Sequence, residues 1–110
     1  MRNAPLRNAR LRDIAKVIRS KNSGPFEITF DVIFDDPDAY QRVKASGVLD
    51  QARMERLYGV PSTDVVACLF FDPALAFKMT LRRRWAQGSV GERDTFGAQQ
   101  HAPLLEVVVP

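Results

Sequence analysis

The sequence predicts an α+β domain with two helices packed on a mainly antiparallel sheet of four to five strands. Three observations support this prediction. Apolar residues alternate along residues 28–35, two helical segments with marked ends follow, and residues 65–71, 75–82 and 104–109 have further strand-like patterns. Strands on either side of two adjacent helices are typical of the α+β class.

The chain length of 110 residues fits one domain with one hydrophobic core. We assign residues 11–110 to this domain and residues 1–10, which are rich in Arg and Asn, to a flexible basic lead-in. No apolar run approaches the roughly 20 residues of a membrane-spanning helix, and the N-terminus lacks the apolar stretch of a signal peptide. We therefore expect a soluble cytoplasmic protein that does not contact a membrane.

The formal net charge of +3 is unevenly distributed, because Arg and Lys dominate residues 1–22. This asymmetry fits an anionic ligand or an acidic partner, although solvated surface arginines are the more ordinary interpretation. Nucleic-acid binding is disfavoured, because no aromatic residues interleave with the basic segment. Cys68 is the single cysteine and His101 the single histidine, which excludes an internal disulfide and a Cys- or His-rich metal site. The sequence indicates no cofactor.

Residues 11–18 have an ambiguous pattern. Four apolar residues recur at the spacing of one helix face: Leu11, Ile14, Ala15 and Ile18. A short strand over residues 11–15 fits the sequence as well, so both alternatives stand at this point.

Residues 28–35 have the pattern of a strand. β-branched and aromatic residues fall on one face, namely Ile28, Phe30, Val32 and Phe34. Asp31 lies on the opposite face of the same strand. An acid at this position is either solvated on an open sheet face or paired with a cation, and the candidate partners are Arg19 and Lys78.

Two helices follow this strand. Asp36 suits the N-cap of the first helix, Pro37 suits its first position, and Gly47 suits the left-handed residue after its end. Asp50 and Gly59 provide the same signals at the two ends of the second helix.

The second half of the chain contains three further strand-like segments. Val65–Phe71 is apolar on both sides of the alternation, which predicts a central strand covered on both faces, with Cys68 as an inert core thiol. An Asp-Pro pair then indicates a turn, and residues 75–82 alternate as a half-exposed strand. Residues 86–103 form a polar loop longer than the usual ~4–6 residues, and such loops tend to be functional. A last strand is predicted over residues 104–109.

Residues 19–27 combine the groups of an anion-binding loop: two cations, hydroxyl and amide donors, and a glycine that permits close backbone approach. The candidate ligand-binding residues are Arg19, Ser20, Lys21, Asn22 and Gly24. The glycine spacing and the lysine–threonine ending of a nucleotide phosphate loop are absent. An ordinary polar turn between two elements is the alternative interpretation.

A second polar motif over residues 96–103 holds two adjacent amides and the single histidine. His101 is the candidate catalytic residue, because imidazole is suited to act as a general acid or base near neutral pH. Gln99 and Gln100 are candidate ligand-binding residues, suited to orient a carbonyl or carboxylate. In the alternative interpretation, His101 satisfies backbone groups at the end of the loop.

Three motifs resemble a bacterial family of about this length that carries a domain of unknown function. They are Leu-Arg-Asp-Ile-Ala at the start of residues 11–31, Phe-Phe-Asp-Pro-Ala-Leu-Ala over residues 70–76, and Phe-Gly-Ala-Gln-Gln-His-Ala-Pro-Leu-Leu over residues 96–105. Genes of that family often lie beside those for proteins similar to AtuA of acyclic terpene utilisation. The resemblance covers residues 11–110. It implies association with a larger AtuA-like protein, in pathways that degrade carboxylic acids or their CoA thioesters.

A more distant likeness is to the ferredoxin-like domain that ends many AtuA-type proteins, in which a Leu-Arg-Asp strand precedes a polar, glycine-bearing loop. This likeness implies a ferredoxin-like fold and favours a strand over residues 11–15. The loop differs in detail, because Ser-Gly-Asp-Lys-Gly in that domain corresponds to Ser20-Lys21-Asn22-Ser23-Gly24 here. A shared ligand is therefore not implied.

Two functions of different classes fit these features. In the first, the chain is a small subunit or accessory domain of an AtuA-like catabolic assembly, and its two polar motifs contribute to a composite site. In the second, the chain is a self-associating module that binds a small anionic ligand and has no catalysis of its own. We expect a homo-oligomer or a hetero-oligomer in either case.

Overall fold

The computed structural model describes residues 8–83 and 101–110, and in these residues the chain is an α+β domain, as predicted. The strands are β1 (Ala9–Arg10), β2 (Val17–Asn22), β3 (Glu27–Ile33), β4 (Val65–Phe71), β5 (Ala76–Arg82) and β6 (Val108–Val109). The helices are α1 (Leu11–Ile14), α2 (Pro37–Ser46), α3 (Gln51–Tyr58) and α4 (Ala102–Leu105). Single 3-10 turns, Ser62–Asp64 and Asp72–Ala74, precede β4 and β5.

The strands form two antiparallel sheets. β2, β3, β5 and β4 lie side by side in that order, and β1 pairs with β6 in a separate two-stranded sheet. The ferredoxin-like arrangement is not confirmed. That fold has the element order β-α-β-β-α-β, whereas the elements of the four-stranded sheet and its helices follow the order β-β-α-α-β-β.

The hydrophobic core lies between the four-stranded sheet and the helices α2 and α3. The alternation of β3 places Phe30 and Val32 on the helix side, opposite Met79 and Phe77 of β5. These four side chains and Tyr40 of α2 are each at most 1% exposed. The alternation in β3 therefore marks the buried side of the sheet, as predicted. We call this side the inner face and the opposite side the outer face.

The ends of α2 and α3 are those predicted from capping residues. Asp36 and Asp50 each accept a hydrogen bond from a backbone N–H of the first helical turn, at 3.0 and 2.8 Å. Gly47 and Gly59 follow the two helices with φ of 75° and 65°, a left-handed conformation that favours glycine. None of the helices within residues 8–83 and 101–110 has the length and apolar character needed to cross a membrane.

The prediction for residues 11–15 is wrong. No strand forms there and no helix continues to Ile18, because α1 is a single turn and β2 begins at Val17. The backbone N–H of Lys16 donates to the carbonyl of Ile33 at 2.8 Å, directly before the β2–β3 ladder. Pairing with β3 therefore imposes strand conformation on residues whose spacing is helical.

The later start of β2 also changes the polar motif of residues 19–27. Residues 19–22 lie in the strand and pair with β3, and the turn comprises residues 23–26. A hydrogen bond of 3.0 Å from the backbone N–H of Ser23 to the carbonyl of Glu27 closes this turn. The predicted anion-binding loop is therefore shorter than expected, and most of its polar side chains project from a strand.

The position of β4 in the sheet differs from the prediction. β5 takes the central place, because it pairs with both β3 and β4, and β4 lies at an edge. Val66, Leu69 and Phe71 of β4 are 47, 46 and 47% exposed. β4 is therefore not a central strand covered on both faces, although both of its sides carry apolar residues.

The strand predicted over residues 104–109 is reduced to the two residues of β6. Pro103 lies in the first turn of α4, where proline is well tolerated, and Leu104 is fully buried. After this turn, β6 pairs with β1. The backbone N–H of Leu11 donates to the carbonyl of Val107 at 2.8 Å, so the first and last described elements are joined.

Candidate functional site

The structure brings two of the predicted site residues into contact. Oγ of Ser20 accepts a hydrogen bond from the backbone N–H of His101 at 3.1 Å. The same Oγ lies 3.3 Å from Nδ1 of the imidazole. The two residues are 81 positions apart in the chain, and no local pattern indicates that they meet. We call this pair the Ser–His contact.

The fold holds both members of the Ser–His contact. Ser20 lies in β2 opposite Phe30, so its side chain points to the inner face and is 9% exposed. His101 directly precedes α4, and the backbone N–H of Leu104 donates to its carbonyl at 2.9 Å. Because Leu104 is fully buried, α4 anchors His101 beside the edge strand.

The geometry makes Ser20 a group that positions the imidazole. Its Oγ accepts the backbone N–H of His101 and forms a hydrogen bond with Nδ1 of the same residue, so one side chain holds both the backbone and the ring of His101. A serine nucleophile needs an accessible Oγ and a base oriented by a third group, whereas Ser20 is buried. Among the described residues, Nε2 of His101 has no hydrogen-bond partner. Within the described residues, Nε2 is therefore the ring nitrogen of His101 that this contact does not engage.

The other predicted ligand-binding residues do not gather around the Ser–His contact. Alternation along β2 places Arg19 and Lys21 on the outer face, whereas Asn22 shares the inner face with Ser20. Gly24 lies in the exposed turn with φ of 136°, a value that favours glycine. Two further candidates lie outside the described residues, Gln99 and Gln100.

Arg19 belongs to a row of charges that crosses three strands on the outer face. Its Nε lies 3.1 Å from Oδ2 of Asp31, and Nζ of Lys78 lies 3.5 Å from Oδ1 of the same carboxylate. The Asp31 side chain is 5% exposed, against 56% for Arg19 and 51% for Lys78. Both partners predicted for Asp31 are confirmed. Arg19 therefore compensates a buried carboxylate, and its part in anion binding stays a prediction.

A third polar cluster has no counterpart in the sequence-based predictions. The buried Tyr40 hydroxyl donates to Oδ1 of Asp72, and Nζ of Lys44 donates to the same oxygen at 2.8 Å. Burial and the hydrogen bond to Asp72 raise the pKa of Tyr40 to about 12. The hydrogen bonds from Lys44 and Tyr40 lower the pKa of Asp72. The Asp-Pro pair signals the turn before β5, but no local pattern signals that α2 packs against it.

An open groove of about 420 Å³ lies beside α3 and the C-terminal segment. Its lining includes Met54 and Leu57 of α3 and Val108 of β6, together with the exposed Arg53 and Arg56. The volume is in the range of small-molecule sites. The groove includes neither residue of the Ser–His contact, so the two features are separate candidate sites.

These features define a small α+β domain with two helices on the inner face of an antiparallel sheet and a histidine held by a serine at the sheet edge. In the described part of the chain, no group of His, Cys, Asp and Glu side chains is placed to hold a metal ion. A family model for a domain of unknown function, DUF4387, matches residues 11–108, and the chain belongs to this family. Neither the comparison with curated proteins nor the comparison with solved structures found a match.

Proposed function

We propose that this chain is the small subunit, or an accessory domain, of a catabolic assembly with an AtuA-like larger protein. In this proposal the assembly acts on carboxylic acids or acyl-CoA thioesters, and this chain contributes His101 to a composite site. The supporting observation is the Ser–His contact, which presents Nε2 of a fixed imidazole at the edge of a sheet. The larger partner and the substrate class come from the resemblance of the family motifs.

The site is proposed to be composite because the described residues place the reactive group beside an edge strand, where another subunit can pack. β2, which carries Ser20, is an edge strand of the four-stranded sheet. The groove beside α3 does not reach the Ser–His contact. A larger subunit packed against this edge would provide the walls that bind a substrate and exclude water.

His101 has the role of general acid or base in this proposal, with Nε2 as the atom that exchanges the proton. Ser20 is a positioning residue, because its Oγ fixes the imidazole through Nδ1 and the backbone. Asn22 is the best placed of the predicted ligand-binding residues, because it shares the inner face of β2 with Ser20. The contributions predicted for Gly24, Gln99 and Gln100 stay predictions.

Co-expression of the tagged chain with the product of a neighbouring AtuA-like gene tests this proposal. We expect a stoichiometric complex that converts a member of a panel of branched carboxylic acids and their CoA thioesters. His101→Ala should preserve the complex and lower kcat by about 100-fold or more, the usual range for a general acid–base group. Ser20→Ala should cause a smaller loss in kcat, because the imidazole is then free to rotate.

Gln41→Ala is a matched control, since this residue is exposed on α2 and its loss should change neither complex formation nor kcat. Circular dichroism shows whether each variant is folded. Failure to form a complex would contradict the proposal, and so would full activity in the His101→Ala complex.

The groove beside α3 favours a second candidate function, a self-associating module that binds a small anionic ligand without catalysis. Arg53 and Arg56 form no ion pair with another described residue, and they lie beside apolar lining. This combination matches a ligand with an apolar body and a carboxylate. Octanoate should then raise the melting temperature of the wild type and leave that of an Arg53→Ala/Arg56→Ala variant unchanged. An equal response in the two proteins would contradict this function.

A further inference from the structure

We infer that β4 is a dimerisation strand, which pairs antiparallel with β4 of a second copy of this chain. β4 is an edge strand, so alternate backbone N–H and C=O groups along it have no strand partner within residues 8–83 and 101–110. Val66, Leu69 and Phe71 on this strand are about half exposed. The inference requires neither the larger partner nor the Ser–His contact, and it names the strand through which copies would associate in the second candidate function.

β4 lacks most of the features that protect an edge strand from pairing. Its seven residues include no charged residue and no proline, although charges and prolines are the usual protection of such edges. The register shift between Val65 and Ala67 is a local irregularity, and residues 67–71 continue as a regular strand. This regular segment offers main-chain hydrogen bonds and an uncharged surface to another strand.

The occupant that fits this edge is β4 itself. An uncharged strand meets no like charge when it pairs with its own copy around a two-fold axis. The other edge, β2, carries Arg19 and Lys21 on one face, so self-pairing there would bring cations together. The two edges of the sheet are therefore not equivalent, and only β4 is suited to an isologous contact.

The regular segment of β4 also indicates the register. Residues 67–71 are centred on Leu69, and two-fold pairing about this residue places it opposite Leu69 of the second copy. The same register places Ala67 opposite Phe71, so that a small side chain meets a large one on the outer face. The two four-stranded sheets then join in one continuous sheet.

Pairing centred on Cys68 is disfavoured. In that register residues 70 and 71 of one copy lie opposite Val66 and Val65 of the other, where the strand is irregular. The register centred on Leu69 pairs all five residues of the regular segment with one another. Strand regularity and side-chain size therefore favour the same register.

Sedimentation equilibrium of the purified full chain tests the inference. We expect a mass of twice the 12.4 kDa of one chain, with dissociation on dilution. Leu69→Lys should give a folded monomer, because two ammonium groups then meet at the two-fold axis. Leu57→Lys is the matched control: this leucine is 38% exposed on α3, and its substitution should leave the dimer intact.

Cross-linking provides an independent measurement should Leu69→Lys not fold. Directly opposite residues of antiparallel strands have Cα atoms about 4.5–5.5 Å apart, within the range of about 4.4–6.8 Å for a disulfide. In a Cys68→Ser background, Leu69→Cys should form a covalent dimer when oxidised glutathione takes up the two thiol hydrogens and electrons, and Leu57→Cys should not.

A monomer at hundreds of micromolar protein would overturn the inference. A dimer that survives Leu69→Lys and that Leu69→Cys does not cross-link would also overturn it. Because these measurements use neither the AtuA-like protein nor a substrate, their failure is distinguishable from failure of the proposed function.

Discussion

Tyr40 combines a buried ring with a hydroxyl that reaches the carboxylate of Asp72 before β5. Burial and this hydrogen bond raise its pKa to about 12. The ring of Tyr58 packs against Phe30, with ring centroids 4.9 Å apart, and burial raises the pKa of Tyr58 as well. These are the two tyrosines of the chain, so the folded protein should hold both phenols protonated at the pH where free tyrosine ionises.

Titration of tyrosine absorbance between pH 9 and 12 checks this expectation. The folded pKa of Tyr40 lies above the unfolded value of about 10, so its contribution to stability is complete below about pH 10 and is lost as the pH rises towards 12. Phenol ionisation and loss of structure should therefore coincide. In the Tyr40→Phe variant, the absorbance change on ionisation should fall to that of one tyrosine. A phenol that titrates near pH 10 in a still folded protein would contradict the prediction.

Cys68 gives a second prediction for a single side chain. Burial, together with the charges of Asp50 and Glu55, raises the pKa of its thiol, and Sγ lies 3.9 Å from the carbonyl oxygen of Leu49. Because the thiolate is the reactive form, a disulfide reagent at pH 8 should modify the folded protein several-fold more slowly than the urea-unfolded chain. Equal rates in the two states would show that the thiol is neither shielded nor perturbed.

At the scale of elements, the charge row of Arg19, Asp31 and Lys78 joins β2, β3 and β5 in addition to their backbone pairing. The carboxylate is buried and the two cations are about half exposed. Each cation alone therefore contributes little through screened attraction, whereas the buried carboxylate needs at least one of them.

A double-mutant cycle in urea tests this coupling between strands. Arg19→Met and Lys78→Met should each cost about 1 kcal/mol or less of unfolding free energy. Together they leave the buried Asp31 without a cation, so the double variant should cost about 3–5 kcal/mol. Adding Asp31→Asn to the double variant should restore part of the lost unfolding free energy, because it removes the buried charge.

Lys21→Met is the control for this cycle, because Lys21 lies on the same face of β2 and forms no ion pair with the described residues. It should change the unfolding free energy by no more than about 0.5 kcal/mol. Strictly additive losses for Arg19→Met and Lys78→Met would contradict the proposed coupling.

Elements whose signals are local were predictable from sequence, and those set by pairing were not. Asp36 and Gly47 mark the two ends of α2 through capping and left-handed geometry. In contrast, β2 begins at Val17 because β3 pairs with it, although the apolar spacing of that segment is helical. The edge position of β4 depends on which strands β5 pairs with, and an apolar sequence does not reveal this.

The same division applies to the candidate site. Two separate polar motifs identified these residues: Ser20 belongs to residues 19–27, and His101 belongs to residues 96–103. Their contact depends on α4, which docks through Leu104, and on alternation along β2. Alternation along β2 also places the side chains of Arg19 and Ser20 on opposite faces of the sheet. In a loop, the two side chains could have acted together.

At the scale of the whole molecule, the two-stranded sheet of β1 and β6 closes the domain. Leu11, Leu104 and Val109 are fully buried in the same hydrophobic core as the four-stranded sheet. The short elements near the two ends are therefore part of one packed unit, and the position of His101 depends on that packing.

Leu104→Ala should destabilise the protein by about 2–5 kcal/mol, the usual cost of truncating a buried leucine. It should also loosen α4, so that the imidazole resonances of His101 move towards those of the unfolded chain. Urea unfolding and NMR measure the two effects. Leu105→Ala, at a neighbouring half-buried position, should cause a smaller loss and leave those resonances in place. Unchanged resonances in Leu104→Ala would show that α4 does not anchor the histidine.

The Ser–His contact also implies an order of events during biosynthesis. The last strand of the four-stranded sheet ends at Arg82, whereas the imidazole comes from a residue 81 positions after Ser20. All strands of that sheet therefore leave the ribosome before His101 does. The scaffold is available first and the reactive group docks afterwards, so a partner that recognises the docked histidine distinguishes a completed domain from a nascent one.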